Sequence, residues 1–122
     1  MRVLIADDDA DLRDLVTIAV EKAGSEVAAA VASGTEAWAA LQAMHVDLAV
    51  LDISMPGMTG LEVLQKVRDD GGLRELTVLV ITADGAPDIA EQVHAAGADG
   101  LITKPFPVRE LVRFIRDVAE RL

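Results

Sequence analysis

The sequence predicts an α/β fold: a doubly wound, five-stranded parallel sheet with helices on both faces. Three observations carry that prediction. Short, nearly continuous apolar runs recur at Val3–Ala6, Leu48–Leu51 and Val78–Ile81, the pattern of strands buried on both faces. Between them lie segments with apolar residues three and four apart, the pattern of amphipathic helices. The two patterns alternate five times within 122 residues, which implies βα units joined by right-handed crossovers.

Val3–Ala6 is the first strand. A helix follows from about Ala10 to Ala23, with Leu12, Leu15, Val16, Ala19 and Ala23 on one face, Asp9 as its N-cap and Gly24 as its stop. Glu26–Ala30 is a weak, alanine-rich second strand expected at an edge. Ser33-Gly34-Thr35-Glu36 has capping-box spacing and opens a helix to about Met44. Leu48–Leu51 is the third strand. Met55-Pro56-Gly57-Met58 is a turn, and Thr59 to Glu62 is a second capping box leading a helix to about Arg68.

Residues 69–72, Asp-Asp-Gly-Gly, form a loop before the fourth strand, Val78–Ile81. A shorter helix spans Pro87 to Ala95 and ends near Gly97. Leu101–Thr103 is the fifth strand. Pro107 starts a last helix with a stripe of Val108, Leu111, Val112, Ile115, Val118, Ala119 and Leu122. Gly57, Gly60, Gly97 and Gly100 are expected in turns. One domain, residues 1–122, accounts for the chain.

Composition narrows the function. With 52% hydrophobic and 2% aromatic residues (Trp38, Phe106 and Phe114), the core must be aliphatic. The net charge of −10 argues against binding a nucleic-acid backbone, which takes Lys and Arg. No cysteine is present, so disulfides and thiolate chemistry are excluded. No apolar run reaches membrane-spanning length and no signal peptide is legible, so the cytoplasm is the expected compartment.

The charged residues that directly follow the strands are the candidate site. Asp7 and Asp8 follow the first strand, Asp52 the third and Lys104 the fifth, while Thr82 ends the fourth. In an open parallel sheet these carboxyl ends share one edge, where ligands bind. Two carboxylates about 4 Å apart repel by roughly 4 kcal/mol at an effective dielectric near 20, so three together call for a cation or a raised pKa. Oxygen donors without His or Cys suit a hard ion such as Mg²⁺. An aspartate is also a competent nucleophile toward phosphorus, and Lys104 and Thr82 would complement the resulting charge. The alternative for the first loop is a solvated cap on the first helix, the preferred reading for Asp9.

In order and spacing, the segments Val3–Asp9, Asp47–Gly60, Val80–Ala83 and Gly97–Phe106 resemble the receiver domain of bacterial two-component response regulators, across essentially the whole chain. The resemblance implies a flavodoxin-like sheet in the order 2-1-3-4-5. It implies that Asp52 accepts a phosphoryl group from a histidine kinase or a histidine phosphotransfer protein. By the same carry-over, Asp7, Asp8, Asp52 and the main-chain carbonyl of Ser54 hold Mg²⁺. Thr82 moves toward the phosphoryl group, Lys104 is the pairing cation, and the Lys104–Pro105 bond is cis. The face of the fourth helix, fifth strand and fifth helix would signal to an effector protein or to an output domain outside this chain. Self-phosphorylation and autodephosphorylation are the only catalysis implied, by a monomer or weak dimer.

One position departs from the family pattern. Receivers usually carry Tyr or Phe three residues before the lysine, and here Leu101 stands there. A switch through Thr82 and Leu101 therefore lacks the ring that swings in the family, and the fourth helix is the alternative carrier. Ser54 and Asp84, each two residues beyond a site residue, are candidates for tuning phosphoryl lifetime. Arg109, Arg113 and Arg116 read as a solvated face of the last helix, with a partner contact as the alternative. His45 and His94 read as surface residues. Other functions stay open: a phosphorylation-independent interaction module, a Mg²⁺-dependent aspartyl phosphohydrolase, or a flavin carrier. Ser54, where such hydrolases place an acid, weighs against the second, and the acidic first loop against the third.

Overall fold

The computed structural model describes residues 1–122. Its elements run β1 (Arg2–Ala6), α1 (Ala10–Lys22), β2 (Glu26–Val31), α2 (Gly34–Ala43), β3 (Leu48–Asp52), α3 (Gly60–Asp69), β4 (Thr77–Thr82), α4 (Pro87–Ala95), β5 (Gly100–Thr103) and α5 (Val108–Glu120). All strands pair in parallel in one sheet ordered β2-β1-β3-β4-β5, as expected.

Alternation along the strands separates two cores, one on each face. Leu4, Ala6, Ala49, Leu51, Val78 and Val80 point to one side, against Leu41 of α2, Leu64 of α3 and Val93 of α4. Val3, Ile5, Leu48, Val50, Leu79 and Ile81 point to the other, against Val16 and Val20 of α1 and Leu111 and Ile115 of α5. This is why the central strands read as continuous apolar runs. Each such Leu or Ile removed from water contributes about 1.5–3 kcal/mol. On the edge strand β2, Val27, Ala28, Ala29 and Val31 are half-buried, which explains its weak pattern.

The helix signals hold. Asp9 Oδ1 accepts from the amide of Asp11 at 2.9 Å, and Thr59 and Glu62 form a complete capping box, each bond 3.1 Å. Gly24, just past α1, has φ of +80°. Three details differ from the sequence reading. Asp52 lies within β3, paired with Ile81, because the ladder continues one residue further to the Ile53 amide and the Ile81 carbonyl (2.9 Å). Gly60 is the first residue of α3, and a Cβ there would collide with the Asp52 carbonyl. Gly100 lies inside β5, where a Cβ would come within 2.6 Å of the Phe114 ring. Both glycines serve close approach rather than turns.

Candidate functional site

Strand ends bring the predicted residues together at the carboxyl edge of the sheet. β1 delivers Asp7 and Asp8, β3 delivers Asp52, β4 delivers Thr82, and the segment after β5 delivers Lys104. Asp7, Asp52 and Thr82 are the buried polar residues of the molecule, each at most 4% exposed. Asp8 is exposed. One carboxylate oxygen from each of Asp7, Asp8 and Asp52 falls within 4.8 Å of the others.

Lys104 is the cation that faces this cup. Its Nζ lies 3.1 Å from Asp52 Oδ1 and 3.6 Å from Asp7 Oδ2. Its amide donates to the Thr82 carbonyl at 2.7 Å, which fixes the segment to β4, and the Lys104–Pro105 bond is cis. Burial pushes the Asp52 carboxyl above its ordinary range. The Lys104 hydrogen bond pulls it back, while the charges of Asp7 and Asp8 push it further up. One ammonium facing three carboxylates leaves negative charge uncompensated. Clustered oxygen donors of that kind fit a hard divalent ion such as Mg²⁺.

The surrounding groups set the rest of the geometry. Asp7 Oδ1 accepts from the Asp9 amide at 2.9 Å, and the Asp7 carbonyl accepts from Arg13 Nη1 at 2.7 Å. Nothing in the sequence pattern singles out Arg13; only the fold of α1 over the loop brings it there. Thr82 Oγ1 accepts from the Asp84 amide at 3.0 Å, and Asp84 Oδ1 accepts from the Ala86 amide at 2.9 Å, just ahead of α4. Ser54 and Asp84 are exposed and line the same cleft as Asp52, Thr82 and Lys104. Thr59, Leu61 and Ile89 complete its walls.

Leu101 does not reach this cleft. It is half-buried in β5 opposite Val80 and borders a separate cavity of about 140 Å³ with Ala90, Val93 and His94 of α4. His45 and His94 are exposed, as expected, although His45 Nε2 lies 2.8 Å from Asp47 Oδ1, a pairing the sequence reading did not foresee.

The fold and the acidic cup together define a flavodoxin-like signalling receiver, a module whose ligand edge carries acid, hydroxyl and lysine from separate strands. The response regulator receiver domain family model matches residues 3–116, and the chain belongs to that family. It is 34% identical to the chemotaxis protein CheY of Pseudomonas aeruginosa over 122 residues, covering 100% of this chain and 98% of that protein. It is 38% identical to the DNA-binding transcriptional regulator RpaA of Synechocystis and 35% identical to the phosphate regulon regulator PhoB of P. aeruginosa, in each case over 98% of the chain. It spans only 49% and 52% of those two longer proteins. Among solved structures, CheY4 of Vibrio cholerae aligns with a TM-score of 0.87 at 32% identity, over 96% of this chain and 97% of that one. A CheY-like receiver domain protein of Methanospirillum hungatei aligns with the same score at 30% identity, over 98% and 94%. No helix is long and apolar enough to cross a membrane.

Proposed function

We propose that the chain is a phosphorylatable switch of a two-component relay, with Asp52 as phosphoacceptor. The observation that carries this reading is the convergence of Asp7, Asp8 and Asp52 within 4.8 Å, with Lys104 Nζ 3.1 Å from Asp52 Oδ1. A histidine kinase or histidine phosphotransfer protein supplies the phosphoryl group. An Asp52 oxygen attacks phosphorus, the donor's N–P bond breaks as the O–P bond forms, and the donor nitrogen keeps the electron pair and takes a proton. Such transfer needs mainly positioning and charge stabilisation.

Asp7, Asp8, Asp52 and the Ser54 carbonyl would hold Mg²⁺, which neutralises charge on the transferred group. Lys104 is placed to pair with one phosphoryl oxygen. Thr82 can turn its hydroxyl toward another, at the cost of its bond from the Asp84 amide. That exchange would loosen the Thr82–Asp84–Ala86 chain and so the start of α4, a route to the α4–β5–α5 face that needs no aromatic ring at Leu101. Ser54 and Asp84 flank the open side of the cleft, where water would approach the acyl phosphate. Turnover of a separate substrate forms no part of this reading. An effector protein, or an output domain of the sort the longer relatives' names imply, would read the state, and the cytoplasm is where the donor would meet it.

Incubation with a small phosphodonor and Mg²⁺, followed by intact mass measurement, tests the proposal. Addition of one phosphoryl group to the native chain and none to Asp52→Asn is expected. An equal adduct on both proteins would exclude Asp52.

A further inference from the structure

Two basic side chains reach the residues of the acidic cup, and they engage them differently. Lys104 forms ion pairs with Asp7 and Asp52. Arg13, half-buried on α1, pairs with none of the three carboxylates. Its Nη1 donates instead to the main-chain carbonyl of Asp7 at 2.7 Å. A guanidinium next to three clustered acids thus holds a peptide group rather than neutralising charge.

That peptide group is the one that aims Asp8. The Asp7 carbonyl and the Asp8 amide belong to one planar unit, so fixing the carbonyl fixes the direction in which the chain leaves Asp7 and carries Asp8. Asp7 has other restraints. Its amide donates to the Val31 carbonyl of β2 at 3.1 Å, its Oδ1 accepts from the Asp9 amide at 2.9 Å, and its Oδ2 faces Lys104. The Asp8 carboxylate has no such partner in the cup and is exposed, yet one of its oxygens lies within 4.8 Å of those of Asp7 and Asp52. The backbone holds it there. Arg13 is itself anchored: its amide donates to the Asp9 carbonyl at 3.0 Å, and its carbonyl accepts from Thr17 Oγ1 at 2.8 Å.

We propose that Arg13 is a positioning residue for the divalent ion, acting through the Asp7–Asp8 peptide on the carboxylate of Asp8. This rests on the reading of the cup as a Mg²⁺ site. Charge and geometry act in opposite directions at Arg13, which lets them be told apart. A guanidinium near the cup repels Mg²⁺, so its charge alone weakens binding. Its hydrogen bond strengthens binding by keeping Asp8 in place with the other two acids; loss of outer support of this kind typically costs about 10–100-fold in metal affinity. The hydrogen bond outweighs the charge, because a half-buried guanidinium is screened by solvent and salt while the peptide it holds is fixed by one short contact.

Titration of the full chain with Mg²⁺ at constant ionic strength, followed by backbone amide shifts, tests this. Arg13→Met and Arg13→Ala lack the donor but keep high helix propensity, so both should retain the native circular dichroism. Their dissociation constants for Mg²⁺ should rise at least about tenfold. Arg13→Lys keeps a donor for the single bond and should stay within about threefold of the native value. Gly100→Ala, at the amino end of β5, should melt lower than the native chain with its Mg²⁺ affinity unchanged, so lost stability by itself does not imitate the effect. In an Asp8→Asn background, adding Arg13→Met should weaken the residual binding by less than about threefold, because the two residues act as one unit. Native affinity in Arg13→Met, or the tighter binding that charge alone requires, overturns the proposal. So does an equal loss in Arg13→Lys or in Gly100→Ala, or a full further loss in the double variant. A native chain whose amide shifts do not respond to Mg²⁺ removes the reading of the cup itself, and this proposal with it.

Discussion

Lys104 Nζ sits 3.1 Å from Asp52 Oδ1, and this contact joins two residues 52 positions apart across the carboxyl edge of the sheet. Asp52 is 4% exposed and Asp7 2%, so the ammonium is the only basic group within ion-pair distance of the two buried carboxylates. One ammonium against three clustered carboxylates leaves the cup with uncompensated negative charge, which gives the site measurable consequences.

Asp52→Asn should stabilise the metal-free protein. The folded-state pKa of Asp52 is raised above 3.8 by burial, so between the two values the folded chain holds a proton that the unfolded chain has lost. Stability therefore falls as pH rises through that window, and the cost is complete above the folded pKa. A rise in melting temperature of about 2 °C or more is expected at pH 7. The gain should shrink as pH approaches 3.8, which calorimetry across pH would follow.

Magnesium should stabilise the native chain and act far less on Asp8→Asn. Once the site is filled, each further tenfold rise in free Mg²⁺ adds about 1.4 kcal/mol. Thermal melts at constant ionic strength separate this from screening. Equal responses from both proteins would remove Asp8 from the binding set.

Asp47 should show the opposite pH dependence to Asp52. The Arg2 amide hydrogen bond holds its carboxyl below 3.8, burial opposes that, and His45 assists it. This contribution is complete above 3.8 and is lost as pH falls through the lower folded value. Asp47→Ala should cost about 1 kcal/mol at pH 7, with the difference narrowing in acid. Denaturant melts at pH 7 and in acid would measure it.

Gly100→Ala should destabilise by about 1–3 kcal/mol, because its Cβ would meet the Phe114 ring at 2.6 Å and Leu79 at 3.1 Å. Phe114→Leu in the same chain should restore part of the loss. A purely additive double variant would show that the ring is not the obstacle.

Asp84→Ala should change the phosphoryl half-life of Asp52 by more than about threefold, because a group that orients or repels water acts directly on hydrolysis. The same change frees the Ala86 amide ahead of α4. Decay of the phosphorylated protein followed by intact mass would decide the first effect, and amide exchange at residues 86–90 the second.

Much of the fold was legible because its signals are local. The apolar runs of β1, β3 and β4, the Thr59–Glu62 box and the α5 stripe each lie within fifteen residues, and period and capping chemistry read them directly. β2 was the weakest because an edge strand with half-buried alanines has neither a continuous nor an alternating pattern. The site's members were legible as charges following strands; their burial was not. Asp7 and Asp8 are adjacent in sequence and alike in chemistry, yet one is sealed in the sheet edge and the other faces solvent.

By itself the sequence determined the strand and helix alternation, the aliphatic core and the acids, hydroxyl and lysine available at one sheet edge, since composition and short-range period suffice for these. Only the tertiary structure decided that Arg13 anchors the Asp7 carbonyl, that Asp47 anchors Arg2, and that Gly100 admits Phe114. It also placed the Arg68 guanidinium on the Gly97 and Leu76 carbonyls and on Asp99. Nearly all of these contacts join separate elements, with partners up to 45 positions apart. Each depends on how one element lies on another, and a linear pattern of residues carries no term for that.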